Sequence, residues 1–87
     1  MSFANPTALT YTNGTVSAEI TENNNDRIKD VSASISKTEV APGETVDVTL
    51  TVTFNFLTEI GNHEVKATVT YMCQNKPKYF YFIIYYD

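Results

Sequence analysis

The sequence predicts an all-β protein, an antiparallel sandwich of about six to seven strands closed without a disulfide. Apolar and polar residues alternate with a period of two over most of the chain, the signature of strands with one buried face. The alternating segments are separated by turn-forming residues, and no helical stretch is available for a crossover, so neighbouring strands run antiparallel. Thr recurs throughout, and its branched Cβ suits a pleated, half-exposed surface better than a helix. Cys73 is the single cysteine, so no internal bridge can form.

Each element follows from its residues. Residues 1–6 read as a flexible amino-terminal arm, and Leu9 and Tyr11 mark a first short strand. Asn13-Gly14, which readily takes positive φ, would fold it back onto a second strand where Val16, Ala18 and Ile20 alternate with Ser17, Glu19 and Thr21. Asn23-Asn24-Asn25-Asp26 is a loop whose side chains compete for local backbone hydrogen bonds. Val31, Ala33 and Ile35 then alternate with Ser32, Ser34 and Ser36. Ala41-Pro42-Gly43-Glu44 combines a fixed φ with a permissive residue and reads as a turn. From Val46 to Phe56 the strand is apolar at every second position. After Gly61-Asn62, Val65, Ala67, Val69, Tyr71 and Cys73 share one face of a fifth strand. Asn75-Lys76-Pro77 turns into the last, Tyr79 to Tyr86. The order of strands stays open, because the Pro-Gly entry to the Val46 strand suits an early position and the corner after it a later one.

Composition narrows the function. Eighty-seven residues make one domain, 1–87, whose thin core leaves little room for a large internal cavity. A net charge of −4 argues against a nucleic-acid backbone as partner, and Lys76 and Lys78 are too few to change that. The start of the chain has no basic, apolar signal pattern, so the expectation is a protein kept in the cytoplasm or carried out as part of an assembly. Membrane insertion is not expected, because the most apolar segment, Tyr79 to Tyr86, is far shorter than a span. Asn13-Gly14-Thr15 matches a glycosylation acceptor but is read as a turn.

Catalysis is not expected either. His63 and Cys73, the single imidazole and the single thiol, would stand about 30 Å apart along one strand. No zinc-ligand spacing is present, and Glu22, Asp26 and Asp30 lack the pattern of a calcium loop. The three glycines form no phosphate-cradling motif. Neither a cofactor nor a metal is implied.

The carboxy-terminal strand stands out, since Tyr79, Phe80, Tyr81, Phe82, Tyr85 and Tyr86 crowd six aromatics into nine residues. Tyr79, Tyr81, Ile83 and Tyr85 fall on one face, and Phe80, Phe82, Ile84 and Tyr86 on the other. A two-layer sandwich buries one face of a strand. Either this strand is central and the amino-terminal segment covers its second face, or that face meets another molecule. So short a chain has little to spare for a cover, so a partner interface is expected, carried by Tyr79, Tyr81, Ile83, Tyr85 and Tyr86.

Two motifs carry a resemblance. Ile35-Ser36-Lys37-Thr38-Glu39-Val40-Ala41-Pro42-Gly43-Glu44-Thr45-Val46, running into the Thr/Val strand, resembles the A-P-G-[DE]-T-V entry of bacterial and phage immunoglobulin-like domains. Glu59-Ile60-Gly61-Asn62-His63-Glu64-Val65 is similar to their acidic-x-Gly-x-Tyr corner, with His63 in place of the tyrosine whose hydroxyl bonds back to the chain. The resemblance spans residues 31 to 73. It implies an immunoglobulin-like sandwich with Gly61 and His63 at a structural corner, and, with the aromatic strand, an accessory protein of a phage capsid. Its partner would be the major capsid protein or another virion protein, its place the virion, assembled in the host cytoplasm. Self-association is left open. Two alternatives are an adhesion or spacer module of a bacterial surface protein and a small acidic inhibitor of a host defence enzyme.

Overall fold

The computed structural model describes residues 1–55 and 61–86. Within them the chain forms β1 (Ser2–Ala4), β2 (Thr12–Asn23), β3 (Ile28–Ile35), β4 (Thr45–Phe54), β5 (His63–Cys73) and β6 (Lys76–Tyr86). They make two three-stranded antiparallel sheets, ordered β1-β4-β3 and β2-β5-β6. The two sheets pack on one another as a β-sandwich. The Val46 segment is thus the central strand of its sheet. Phe56, Glu59 and Ile60, where that strand and the corner were expected to continue, lie outside the described residues.

Central strands need one predominantly apolar face, and β4 and β5 have it. Val46 and Val48 of β4 are buried, as is every second residue of β5 from His63 to Cys73. Each Val so removed from water contributes roughly 1.5–3 kcal/mol. The edge strands β2 and β3 bury theirs by half, at Val16, Ala18, Ile20, Val31, Ala33 and Ile35. The main core cluster joins Val46 and Val48 to Val69, Tyr71 and Cys73 across the two layers, with Tyr11 and Val40.

Turn chemistry places the connections. Glu44 N–H donates to the Ala41 carbonyl at 3.1 Å with Gly43 at φ 81°, a turn that needs Gly at its third position. Asn23 brackets the short 3₁₀ turn Asn24–Asp26: its Nδ2 donates to the Ile28 carbonyl and its Oδ1 accepts from the Ile28 N–H, both at 2.9 Å. The last hairpin turns at Gln74 and Asn75, both at positive φ as a type I′ turn demands. Lys76 and Pro77, read from sequence as turn, instead begin β6, where Pro is tolerated at the start of an edge strand.

Two expectations at the amino-terminal end are corrected. Residues 2–4 are a strand, not a flexible arm: β1 pairs with Thr45–Asp47, and Phe3 stacks on Phe80 at 4.2 Å between centroids. The buried Asn5 fastens this segment, donating from Nδ2 to the carbonyls of Leu9 and Val40, while its Oδ1 accepts from the Thr7 N–H. Asn13-Gly14 is not a hairpin. Tyr11 bridges Val40, and Asn13, at φ 52°, lies with Gly14 in a β-bulge of β2 where two residues oppose Tyr71 alone. A missing side chain is required there because the Tyr71 ring lies against Gly14.

The result is long and thin, 47 × 19 × 15 Å, with a radius of gyration of 15.1 Å against roughly 12 Å for a compact chain of this length.

Candidate interaction surface

β6 pairs with β5 on one side and forms the edge of its sheet. Its even-numbered residues point inward. Phe80 and Phe82 pack on the core beside Phe3, and Tyr86 meets Phe54 edge-on at 5.4 Å. The odd-numbered residues point outward, uncovered among the described residues: Tyr79 is 54 % exposed, Tyr81 57 %, Ile83 49 % and Tyr85 71 %. The amino-terminal segment therefore covers a face of this strand, but the inner one. Of the five residues expected at the interface, Tyr79, Tyr81, Ile83 and Tyr85 lie together, and Tyr86 is turned away from them into the sandwich.

Register defines the rest of the surface. Across the sheet, Thr15, Thr70 and Tyr79 form one row, Ser17, Thr68 and Tyr81 the next, and Glu19, Lys66 and Ile83 a third. The face thus grades from small polar residues on β2 to an aromatic stripe on β6. The Tyr79 and Tyr81 rings stack at 6.3 Å, and the Lys66 ammonium sits 4.7 Å from the Tyr81 ring centre, where the ring's negative face attracts it. Lys66 was not singled out from sequence. The hairpin register would have revealed it, had the turn been read at Gln74-Asn75.

The remaining sequence candidates lie elsewhere. His63 begins β5 at 2 % exposure, and among the described residues neither ring nitrogen has a hydrogen-bond partner, so the imidazole does not replace the bond of a corner tyrosine there. Gly61 is half-buried beside it in sequence, and the Asn62 carbonyl accepts from the Asn24 N–H at 3.2 Å. Cys73, at the other end of β5, is a buried free thiol. Tyr71, between them, donates its hydroxyl to the Lys37 carbonyl at 2.5 Å, and burial pushes its phenol up. Among the described residues no group of three or more His, Cys, Asp and Glu is placed to hold a metal ion. Glu19, Glu22, Asp26 and Asp30 are exposed but divided between β2, the 3₁₀ turn and β3, which belong to different layers.

The class of protein that these features define is an all-β sandwich whose described residues leave an aromatic stripe exposed on a sheet edge. No protein-family model, no curated protein and no solved structure matches the chain.

Proposed function

We propose that this chain is a non-enzymatic structural protein of a phage virion, an auxiliary capsid protein that docks on the major capsid shell through the outward face of β6. The exposure of Tyr79, Tyr81, Ile83 and Tyr85 in one row carries the reading. Stripes of this kind are rare on monomers, and tyrosine suits an interface because its ring excludes water while its hydroxyl finds a partner. Three of the four are Tyr, the residue type over-represented among groups whose truncation costs an interface at least 2 kcal/mol. The capsid as partner rests on the immunoglobulin-like resemblance of residues 31 to 73.

The test is co-sedimentation of the purified protein with phage capsids lacking it, using wild type and the double variant Tyr81→Ser, Ile83→Ser. Saturable binding by the wild type, weakened at least tenfold in the variant, is expected. Absence of binding, or equal binding by both proteins, would overturn the reading.

A further inference from the structure

Sheet edges are templates for another strand, and folded proteins guard them with short strands, charges, prolines or bulges. Among the described residues the two sheets have four edges, and three of them are guarded. β1 is three residues long. β2 carries Glu19 and Glu22 and has register breaks at Thr12/Thr15 and Ile20/Glu22. β3 carries Lys29 and Asp30 and breaks register between Ile28 and Asp30. β6 is different: its ladder with β5 runs unbroken from Lys76 to Tyr86, and from Tyr79 to Tyr86 it has neither charge nor proline. Its guards, Lys76, Pro77 and Lys78, stand at one end only.

We infer that β6 pairs edge to edge with β6 of a second copy of this chain, antiparallel about a two-fold axis at Phe82. A two-fold perpendicular to the sheet keeps both cores on the same side, so opposed residues must share a face and their numbers must sum to an even value. Centred on Phe82, Tyr79 faces Tyr85 of the second copy and Tyr81 faces Ile83 outside, while Phe80 faces Ile84 inside. Every opposed pair from Tyr79 to Tyr85 is apolar or aromatic, a favourable pairing across strands. Charge selects the antiparallel sense. A parallel pair would set Lys76 and Lys78 beside their own copies, whereas the two-fold carries the two copies of each lysine to opposite ends of the contact.

The strength follows from size. Seven opposed residues, Tyr79 to Tyr85, give a contact about 24 Å long and about 10 Å deep, on the order of 250 Å² a side. That is well below the roughly 800 Å² per partner of a standard stable interface, so the dimer is weak and concentration-dependent. It is also closed, because pairing consumes both free β6 edges and joins the sheets into one of six strands. This inference does not depend on what the outward face docks onto, since backbone groups at the edge make the pairing and the outward side chains stay accessible.

Sedimentation equilibrium over the micromolar to millimolar range tests it with three proteins. Wild type should move from monomer to dimer and no further. Tyr81→Lys with Ile83→Lys sets like charges opposite one another twice and should weaken association at least tenfold. Tyr81→Lys with Ile83→Glu sets Lys opposite Glu in the same register and should restore it. Both changed positions are exposed, and circular dichroism melts of the three proteins verify the fold. A wild type that stays monomeric throughout overturns the inference. So does a Lys/Glu variant that associates no better than Lys/Lys, because two faces stacked on each other would lose contact in both.

Discussion

The backbone of Gly14 lies so close against the ring of Tyr71 that a Cβ there would overlap Cε1 and sit 3.0 Å from Cδ1. Gly14 has no positive φ to protect, so the ring alone decides the effect of a side chain. Gly14→Ala should cost about 2–3 kcal/mol in urea unfolding, since overpacking outweighs the few tenths to 1 kcal/mol gained from a stiffer unfolded chain. In a Tyr71→Leu background the cost should fall below about 1 kcal/mol. Equal costs in the two backgrounds would disprove the contact.

Tyr71 also ties the layers together by donating to the Lys37 carbonyl. Tyr71→Phe should lose about 1–2 kcal/mol, the cost of a broken bond and a stranded carbonyl. The pH dependence has a definite sign. Burial raises the phenol above its ordinary value, so below about pH 10 folded and unfolded states both keep the proton. Above that the unfolded chain ionises first, and stability is lost as pH rises through the folded value. The difference between wild type and Tyr71→Phe should therefore shrink in alkaline melts, and a difference constant to pH 12 would contradict it.

His63 buries two ring nitrogens that find no partner among the described residues. An unpaired buried polar group costs about 1–3 kcal/mol, so His63→Leu should stabilise the protein at neutral pH by about 1 kcal/mol despite imperfect packing. Destabilisation by more than that in a thermal melt would mean that the imidazole is bonded.

Glu44 closes its own turn. Its carboxylate accepts from the Lys37 ammonium at 2.5 Å and from the Ala41 N–H at 2.8 Å, and these bonds, Lys37 first, hold it below the usual carboxylate range. A lowered carboxyl contributes stability above its unfolded value and loses it as pH falls through the folded one. Acid unfolding of Glu44→Gln should be shallower below about pH 4.3 than that of wild type, and Lys37→Met should flatten it likewise. An unchanged acid limb in both variants would rule out the pair as its source.

Alternation made β4 and β5 legible because the apolar face of each is unbroken, from Val46 to Val52 and from Val65 to Cys73. The outward stripe was legible for the same reason, including the assignment of Tyr86 to the opposite face from Tyr85. β1 was not, since Ser2-Phe3-Ala4 is too short to show a period, and its pairing with Thr45–Asp47 is set by contacts more than forty residues away. Asn13-Gly14 misled because a hairpin and a bulge demand the same local freedom, and what separates them is the distant Tyr71 ring. Likewise, Val40 as the partner of Tyr11 is a tertiary choice that no local pattern announces.

The two-residue turn at Gln74-Asn75 bears on how this chain comes off the ribosome. Strand pairing across long loops waits for distant segments and leaves aromatic surface open to wrong neighbours. Here the stickiest strand is made after β5, and the loop that joins them is about as short as a hairpin allows, so its closure cost is small and pairing takes microseconds. The sheet β1-β4-β3 is already complete in sequence by then. Thus Tyr79 to Tyr86 need never be free in the cell without a strand beside it.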